Sequence, residues 1–251
     1  DKIFVADTAY PELGVHDGHI RGLRLADRLG LTELLLPELA ALNGLKQPAK
    51  YHIYDARRHS DETFAVAPPE VRWAALLHDV GKRPTSDAQG NMHGHEVVGA
   101  ELVRARLDAL GMPRRRAERV VELVRLHMTD LKGDMSEFKL RVFLMRHSDI
   151  ADDLIALKRA DAYATVGHDV GEPRIGRIWR EMQKDGTPLS VKDLPVDGED
   201  AAAAGFTGRE IGEALDALLC ASVTDPHLRS REKALAFLKK RAEKTEGRSG
   251  K

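Results

Sequence analysis

Histidine and aspartate side chains fall on the apolar faces of several separate predicted helices. His78 and Asp79 end the segment VRWAALLHD, which is apolar on nearly all sides and is therefore predicted to be buried. His59 and Asp161 align at helical spacing with apolar residues of their own segments. A buried carboxylate is strongly unfavourable unless it is paired or bound to a metal. Inward-facing histidines and aspartates from several helices would remove that cost by surrounding a divalent cation, for which mixed imidazole and carboxylate ligands are typical.

Two further histidines follow the same pattern, and a simpler interpretation stays open for the whole set. His95 and His127 also lie on the apolar faces of their segments. A single histidine on an apolar face is more often a hydrogen-bonded core residue than a ligand. Asp161 could instead form an ion pair with Arg159 or Lys158, its neighbours in the sequence.

Helical periodicity extends over almost the whole chain, because apolar residues recur at intervals of three and four and strand-like alternation is absent. The sequence therefore predicts an all-α fold. Predicted helices cover residues 16–29, 32–42, 53–66, 69–78, 95–110, 114–128, 137–147, 150–166, 173–184, 208–220 and 228–245. We expect an N-terminal helical segment at 1–50, a metal-binding domain at 51–170 and a C-terminal helical segment at 171–251. Residues 185–208 are predicted to form a linker, and the tail from about 246 is predicted to be disordered.

The composition is that of a globular protein and favours no particular charged partner. Hydrophobic residues make up 42% and charged residues 31% of the 251 residues, and the formal net charge is −1. No apolar run is long enough to span a bilayer and no N-terminal signal pattern is present, so we expect no membrane partner. The single cysteine, Cys220, excludes a disulfide framework and a cysteine-based zinc cage. We therefore expect a cytoplasmic protein.

The order H…HD…D on a predicted helical bundle resembles the HD-domain superfamily of metal-dependent phosphohydrolases. Over residues 16–240 the chain is also similar to the C-terminal half of bacterial tRNA nucleotidyltransferases, the CCA-adding enzymes. The segments that carry this second resemblance are LLLPELAALNGLKQPAKYHIYDARRHS, RWAALLHDVGKRP, GHEVVGAELVRARL, ERVVELVRLHM, LKRADAYA and LPVDGEDAAAAGFTGREIGEALDALL. The resemblance implies an HD-domain helical bundle with flanking N-terminal and C-terminal helices.

The resemblance also implies which residues bind a metal. The ligands of a divalent ion would be His59, His78, Asp79 and Asp161. His95 and His127 match positions that complete a second metal site or line the phosphate pocket in some HD proteins. Mn, Ni, Co, Fe, Zn and Mg all stay open as the metal, and either one or two ions could bind.

These residue types favour hydrolysis of a phosphoester. A metal ion would lower the pKa of a bound water to about 7 and withdraw charge from a phosphoryl group. Lys82 follows Asp79 in a glycine-containing turn and would offset charge on phosphate oxygens, unless it is a solvated turn lysine. His95 and His127 could bind a second metal, anchor phosphate or protonate the leaving oxygen. The candidate catalytic residues are Asp79, Lys82, His95 and His127.

Two basic clusters could contact a nucleic acid. The first, with Trp179 adjacent, is a stripe at helical spacing formed by Arg174, Arg177, Arg180 and Lys184. The second is formed by Arg114, Arg115, Arg116 and Arg119. Such residues can follow a phosphate backbone, but the net charge of −1 favours solvated helix faces neutralised by nearby glutamates. The resemblance favours the opposite interpretation, because the equivalent helices of the related enzymes hold tRNA.

Two functions from different classes follow from these observations. The first is a metal-dependent phosphohydrolase or phosphodiesterase that acts on a nucleotide, a 2′,3′-cyclic phosphate or an RNA 3′ end. The alternative is a non-catalytic tRNA- or RNA-binding accessory module. Nucleotide addition is not expected, because the sequence contains neither the Gly-Ser loop nor an Asp-x-Asp pair of a nucleotidyltransferase head. A fragment of a longer polymerase, cut before Asp1, is a third possibility, and the oligomeric state is open.

Overall fold

All regular secondary structure in the described part of the chain is helical. The computed structural model describes residues 17–48 and 53–249, and no strand occurs within these ranges. The prediction of an all-α fold is therefore confirmed. No helix among these residues is both long and apolar enough to cross a membrane.

Fourteen α-helices are present in the described ranges. They are α1 (Asp17–Arg28), α2 (Leu31–Leu35), α3 (Pro37–Ala40), α4 (Ala56–Val66), α5 (Arg72–Leu77), α6 (Lys82–Thr85), α7 (His95–Ala109), α8 (Arg114–Leu126), α9 (Glu137–Arg146), α10 (Ala151–Val166), α11 (Arg174–Lys184), α12 (Gly198–Ala203), α13 (Arg209–Ser222) and α14 (Arg231–Ser249). Short 3₁₀ helices cover Pro69–Val71, Val191–Asp193 and Pro226–Arg229.

The observed helices differ from the predicted ones mainly where proline or a local cap intervenes. The predicted helix 32–42 is divided into α2 and α3, because Pro37 cannot continue the hydrogen-bond ladder and instead starts a new helix. The predicted linker contains α12, whose N-cap Asp197 forms a capping box with Asp200. Helix α14 extends to Ser249, past the start of the predicted disordered tail, and residues 250–251 lie outside the described part.

The described residues form two compact units. The first contains the described residues up to Leu131 together with Asp152–Pro173, and the second contains Lys132–Ala151 together with the described residues from Arg174 onward. The segment 132–151, including α9, thus belongs with the C-terminal helices rather than with the helices that precede it in sequence.

In the first unit, α7 packs along α8 and α4 packs against α5, and α5 also contacts α8. Leucines and valines fill the space between these helices because each helix presents an apolar face. Fully buried examples are Leu76, Leu77, Val103, Leu107, Leu123 and Val124. This core holds the ends of α5 and α8 and the start of α7 close together, and these are the places where the predicted ligands lie.

In the second unit, α13 contacts α12 and α14, and α9 packs against α11. Its core is apolar and includes Leu144, Ile175, Trp179, Leu218 and Leu238.

Candidate metal centre

The first predicted ligand, His59, lies on the buried face of α4. Asp55 caps this helix by accepting a hydrogen bond from the backbone N–H of Arg58. The cap fixes where the helix begins and therefore which residues face the core. His59 is consequently 1% exposed.

His78 and Asp79 follow the last residue of α5 and are each 1% exposed. The turn after them passes directly against the start of α7. A Cβ atom added to Gly81 would lie 2.0 Å from the carbonyl oxygen of His95 and 2.6 Å from the backbone nitrogen of Gly99. Glycine is required here because no side chain fits, and the close approach brings Asp79 next to His95.

A first group of ligand atoms is formed by His59, His78 and Asp161, from α4, the end of α5 and α10. The Nε2 atom of His59 lies 2.9 Å from Asp161 Oδ1 and 3.2 Å from the Nε2 atom of His78. The Nε2 atom of His78 lies 3.8 Å from Asp161 Oδ1. These spacings allow three ligand atoms to face one small volume.

A second group is formed by Asp79, His95 and His127, from the turn after α5, the start of α7 and the end of α8. Asp79 Oδ1 lies 3.4 Å from His95 Nε2 and 3.8 Å from His127 Nε2. Its other oxygen, Oδ2, lies 3.2 Å from His78 Nε2 and 3.6 Å from His59 Nε2. Asp79 therefore directs one carboxylate oxygen toward each group.

Hydrogen bonds to backbone carbonyls set the orientation of three imidazole rings. The Nδ1 atoms of His78, His95 and His127 lie 2.9, 2.8 and 2.6 Å from carbonyl oxygens three residues earlier. Because a carbonyl can only accept, each Nδ1 must carry the proton, and the Nε2 atom of each neutral ring is unprotonated.

This tautomer assignment leaves two lone pairs facing each other in the second group. The Nε2 atoms of His95 and His127 lie 3.2 Å apart, and neither can donate to the other while both rings are neutral. A cation between them would stabilise that arrangement. The donor set therefore fits a divalent metal ion.

The electrostatics of the site keep its carboxylates ionised. Burial alone would raise the pKa of Asp79, but the neighbouring His78 and Lys82 outweigh it and hold this pKa well below its usual value. Burial would also raise the pKa of Asp161. The hydrogen bond from His59 and the charges of His78 and His59 outweigh burial and lower this pKa. Both carboxylates can therefore act as anionic ligands at neutral pH.

The pKa values of His78 and His127 are shifted in opposite directions. Burial would lower the pKa of His78, but the adjacent Asp79 carboxylate outweighs burial and raises it. Burial, together with the charge of His78, lowers the pKa of His127 to about 3. His127 is therefore neutral at pH 7, which favours a role as a metal ligand over the predicted alternative of a proton donor.

Comparison with known proteins agrees with this geometry. The family model described as the HD domain matches residues 53–166. Residues 53–166 belong to the HD-domain family. The matched segment contains all six histidine and aspartate residues of the two groups.

Curated relatives extend the similarity beyond the HD domain. The chain is 40% identical over 229 residues to the CC-adding tRNA nucleotidyltransferase of Thermus thermophilus, covering 86% of this chain and 52% of that protein. It is 32% identical over 247 residues to the A-adding tRNA nucleotidyltransferase of Deinococcus radiodurans, covering 90% and 56%. It is 36% identical over 209 residues to the Multifunctional CCA protein of Legionella pneumophila, covering 78% and 48%. The predicted resemblance is confirmed, and the chain spans about half the length of the curated relatives it matches.

Lys82 is buried at the edge of the HD domain site. Its Nζ atom lies 2.6 Å from Asp79 Oδ2 and donates a 2.6 Å hydrogen bond to Gln47 Oε1. A solvated turn lysine is therefore excluded. Gln47 precedes the matched HD-domain segment. It could not be predicted as a site residue because it lies outside any periodic helix.

The alternative ion pairs predicted for Asp161 are not formed. Arg159 pairs with Asp169 on the surface, at the far side of α10. Lys158 directs its Nζ atom to the backbone carbonyls of His127 and Thr129, at 2.9 and 2.7 Å. Lys158 was missed as a site residue, although its position three residues before Asp161 places both on one face of α10.

The basic stripe predicted to contact nucleic acid lies in the second unit, on α11. Arg174 donates to the carbonyl of Met135, whereas Arg177, Arg180 and Lys184 are exposed. Trp179 is buried, so it does not accompany them on the surface. In the other basic cluster, Arg114 pairs with Glu118 and Arg119 with Asp153. This supports the interpretation of a neutralised helix face for that cluster.

Proposed function

We propose that the HD domain is a divalent-metal-dependent phosphohydrolase. The observation that carries this proposal is Asp79, whose two carboxylate oxygens face two separate groups of buried ligand atoms. One group supplies His59, His78 and Asp161, and the other supplies His95 and His127. Because histidine and carboxylate ligands suit Mn, Fe, Co, Ni and Zn, one or two such ions would fit, with Mg a further candidate.

When bound, a divalent ion would lower the pKa of a water ligand and draw charge from a phosphoryl group. The residues of the chain provide the ligand atoms and a positive charge beside them. Asp79 and Asp161 supply anionic ligand atoms, and the rings of His78, His95 and His127, held at Nδ1 by backbone carbonyls, point their Nε2 atoms at the site. Lys82 brings a positive charge within 2.6 Å of Asp79, where it would neutralise phosphate oxygens.

The substrate that we propose is a phosphoester at the end of an RNA, a 2′,3′-cyclic phosphate or a nucleotide. The relatives support an RNA-related substrate because their names describe tRNA nucleotidyltransferases. The exposed Arg177, Arg180 and Lys184 support it as well, since exposed basic residues can bind a phosphate backbone.

The test combines metal analysis with a substrate screen. The purified protein would be assayed for bound metal and then incubated with Mn, Ni, Co, Fe, Zn or Mg and with phosphomonoesters, 2′,3′-cyclic nucleotides and tRNA. We expect bound metal and metal-dependent release of phosphate or opening of a cyclic phosphate. The double variant His78→Ala/Asp79→Ala should lose both, and His227→Ala, an exposed histidine in the second unit, should lose neither. Full turnover by a metal-free double variant would refute the proposal.

The second candidate is a non-catalytic tRNA-binding module, which the names of the relatives and the basic stripe on α11 favour. It predicts tight, salt-dependent tRNA binding and no turnover with any of the metals. In that case the triple variant Arg177→Ala/Arg180→Ala/Lys184→Ala should weaken tRNA binding by at least about 10-fold at 0.1 M salt, while His78→Ala/Asp79→Ala should not affect it.

A further inference from the structure

Lys158 is a buried lysine that the proposed chemistry does not use. It lies on α10 in the first unit and is 9% exposed. Its Nζ atom donates hydrogen bonds to the carbonyl of His127 at 2.9 Å and to the carbonyl of Thr129 at 2.7 Å. Burial of an ammonium group is unfavourable unless its protons are satisfied, so a buried lysine with two carbonyl partners needs an explanation.

Part of the explanation is the end of α8. The last carbonyls of a helix have no intrahelical partner and carry the negative end of the helix dipole. His127 is the C-cap residue of α8, so Lys158 donates to the backbone of a candidate ligand itself. Burial lowers the pKa of Lys158 below its usual value, and the Asp161 and Asp130 carboxylates offset only part of that effect.

The position of Lys158 along α10 gives this contact a second consequence. Three residues later the same helix carries Asp161, whose Oδ1 atom lies 2.9 Å from His59 Nε2 in the first group. One helix thus supplies a ligand atom to the first group and holds the backbone of His127 in the second. The His127 ring is oriented by its hydrogen bond to the carbonyl of Val124, and the backbone carbonyl of the same residue accepts a hydrogen bond from Lys158.

We propose that Lys158 is a positioning residue that sets the affinity of the second group for a divalent ion without being a ligand. It holds His127 where its Nε2 atom lies 3.2 Å from His95 Nε2 and 3.8 Å from Asp79 Oδ1. The inference rests on the proposed function only in taking the second group as a metal site.

The test is a titration of the metal-free chain with Mn²⁺, followed by electron paramagnetic resonance and calorimetry. We expect wild type to bind two ions, and His95→Ala identifies which binding step belongs to the second group. In Lys158→Met, an apolar side chain of similar length, that step should weaken by about 10–100-fold, the range found when a group that supports a metal ligand is removed. The other step should change by less than about 3-fold, because the first group keeps its contacts.

Two further variants separate positioning from general stabilisation. Lys158→Arg keeps a charged multiple donor and should restore most of the lost affinity. Arg159→Met alters the neighbouring residue, which pairs with Asp169 on the surface, and should leave both steps unchanged. If Lys158→Met does not fold, Lys158→Gln, which retains an N–H donor without the charge, is titrated in its place, and a weakened second step is again expected.

The Mn²⁺ titrations distinguish failure of this inference from failure of the proposed function. Unchanged Mn²⁺ binding in Lys158→Met overturns this inference but not the proposed function. Equal weakening of both binding steps, together with a lowered unfolding temperature, has the same consequence. If wild type binds a single ion and His95→Ala does not weaken its binding, the first group is the site and the inference is overturned as well. A wild-type chain that binds no divalent ion overturns the proposed function and the inference with it.

Discussion

In the first unit, ionisable side chains converge in the interior, whereas in the second unit most of the described ion pairs lie at the surface. Among the described residues, the buried ionisable groups of the first unit are Arg57, His59, His78, Asp79, Lys82, His95, His127 and Lys158. Within the described residues of the second unit, Arg141 alone belongs to this class, and it is satisfied by Glu137, Glu181 and the carbonyl of Val223.

The buried ionisable groups of the two units differ in whether protein partners alone satisfy them. Arg141 has a carboxylate or carbonyl partner for its guanidinium, so its network is complete without a ligand. In the first unit the Nε2 atoms of His95 and His127 lie 3.2 Å apart, and neither can donate to the other while both rings are neutral. Burying such groups destabilises a protein unless a ligand completes them. Incomplete satisfaction in the core is therefore the feature that distinguishes the candidate centre from structural ion pairs.

The largest expected effect is on the stability of the first unit, where the turn at Gly81 packs directly against the start of α7. Gly81→Ala should destabilise the chain by about 3 kcal/mol or more, because the new Cβ would overlap the His95 carbonyl and force the turn away from α7. The variant should also lose metal, since Asp79 and His95 separate. Urea denaturation and metal analysis would measure both effects.

The matched control is a helical glycine of the second unit. Gly212 on α13 has open space where a Cβ would lie, so Gly212→Ala should stabilise the chain by roughly 0.5–1 kcal/mol. Similar stability changes in the two variants would contradict the difference drawn between the units.

An intermediate effect is expected from Asp61, a carboxyl group of the first unit beside buried Arg57. Burial raises the pKa of Asp61 to about 6, although the charge of Arg57 opposes the shift. The folded state then retains a proton that the unfolded state loses near pH 4, so this contribution to stability is complete below that pH and is lost as the pH rises through about 6.

Asp61→Asn should remove this pH dependence, because asparagine has the same shape and does not titrate. Between pH 4 and pH 7 the stability of wild type relative to the variant should fall by about 1–3 kcal/mol. Arg57 keeps its pair with Asp27 in both proteins. Denaturation in metal-free buffers across this range is the measurement, and parallel pH profiles would show that the group does not titrate as proposed.

The smallest expected effect belongs to a surface pair of the second unit. Arg209 and Glu213 form a 2.8 Å ion pair on α13 with both side chains largely in solvent. Arg209→Gln should leave the unfolding midpoint within experimental error, because solvent screens the pair and ordering two long side chains offsets the attraction. A clear loss of stability would mean that surface pairs in this unit matter more than their exposure indicates.

Much of the fold could be predicted from local pattern. Periodicity located α4, α7, α8 and α10, and it placed Asp161 on the apolar face of its helix. It did not find α6 or α12, whose four and six residues are too short to show a period. It also gave no sign that α9 groups with the C-terminal helices, because that grouping depends on contacts between residues distant in the sequence.

Some residues of the candidate site could likewise be predicted from local pattern, and others could not. His78 and Asp79 could be selected because a strongly apolar run ends in two ionisable groups. Gln47 and Lys158 could not be assigned, since each reaches the site through a contact with a residue at least 29 positions away.

By itself, the sequence determined that the chain is helical and that a set of histidines and aspartates faces inward, because the helical period depends only on the local order of apolar and polar residues. The tertiary structure decided which of those residues meet. It directs the two oxygens of Asp79 to different groups, sets the imidazole tautomers through backbone carbonyls and brings Lys158 to the end of α8. These features follow from the packing of whole helices against one another, which fixes distances of a few ångströms that no local pattern encodes.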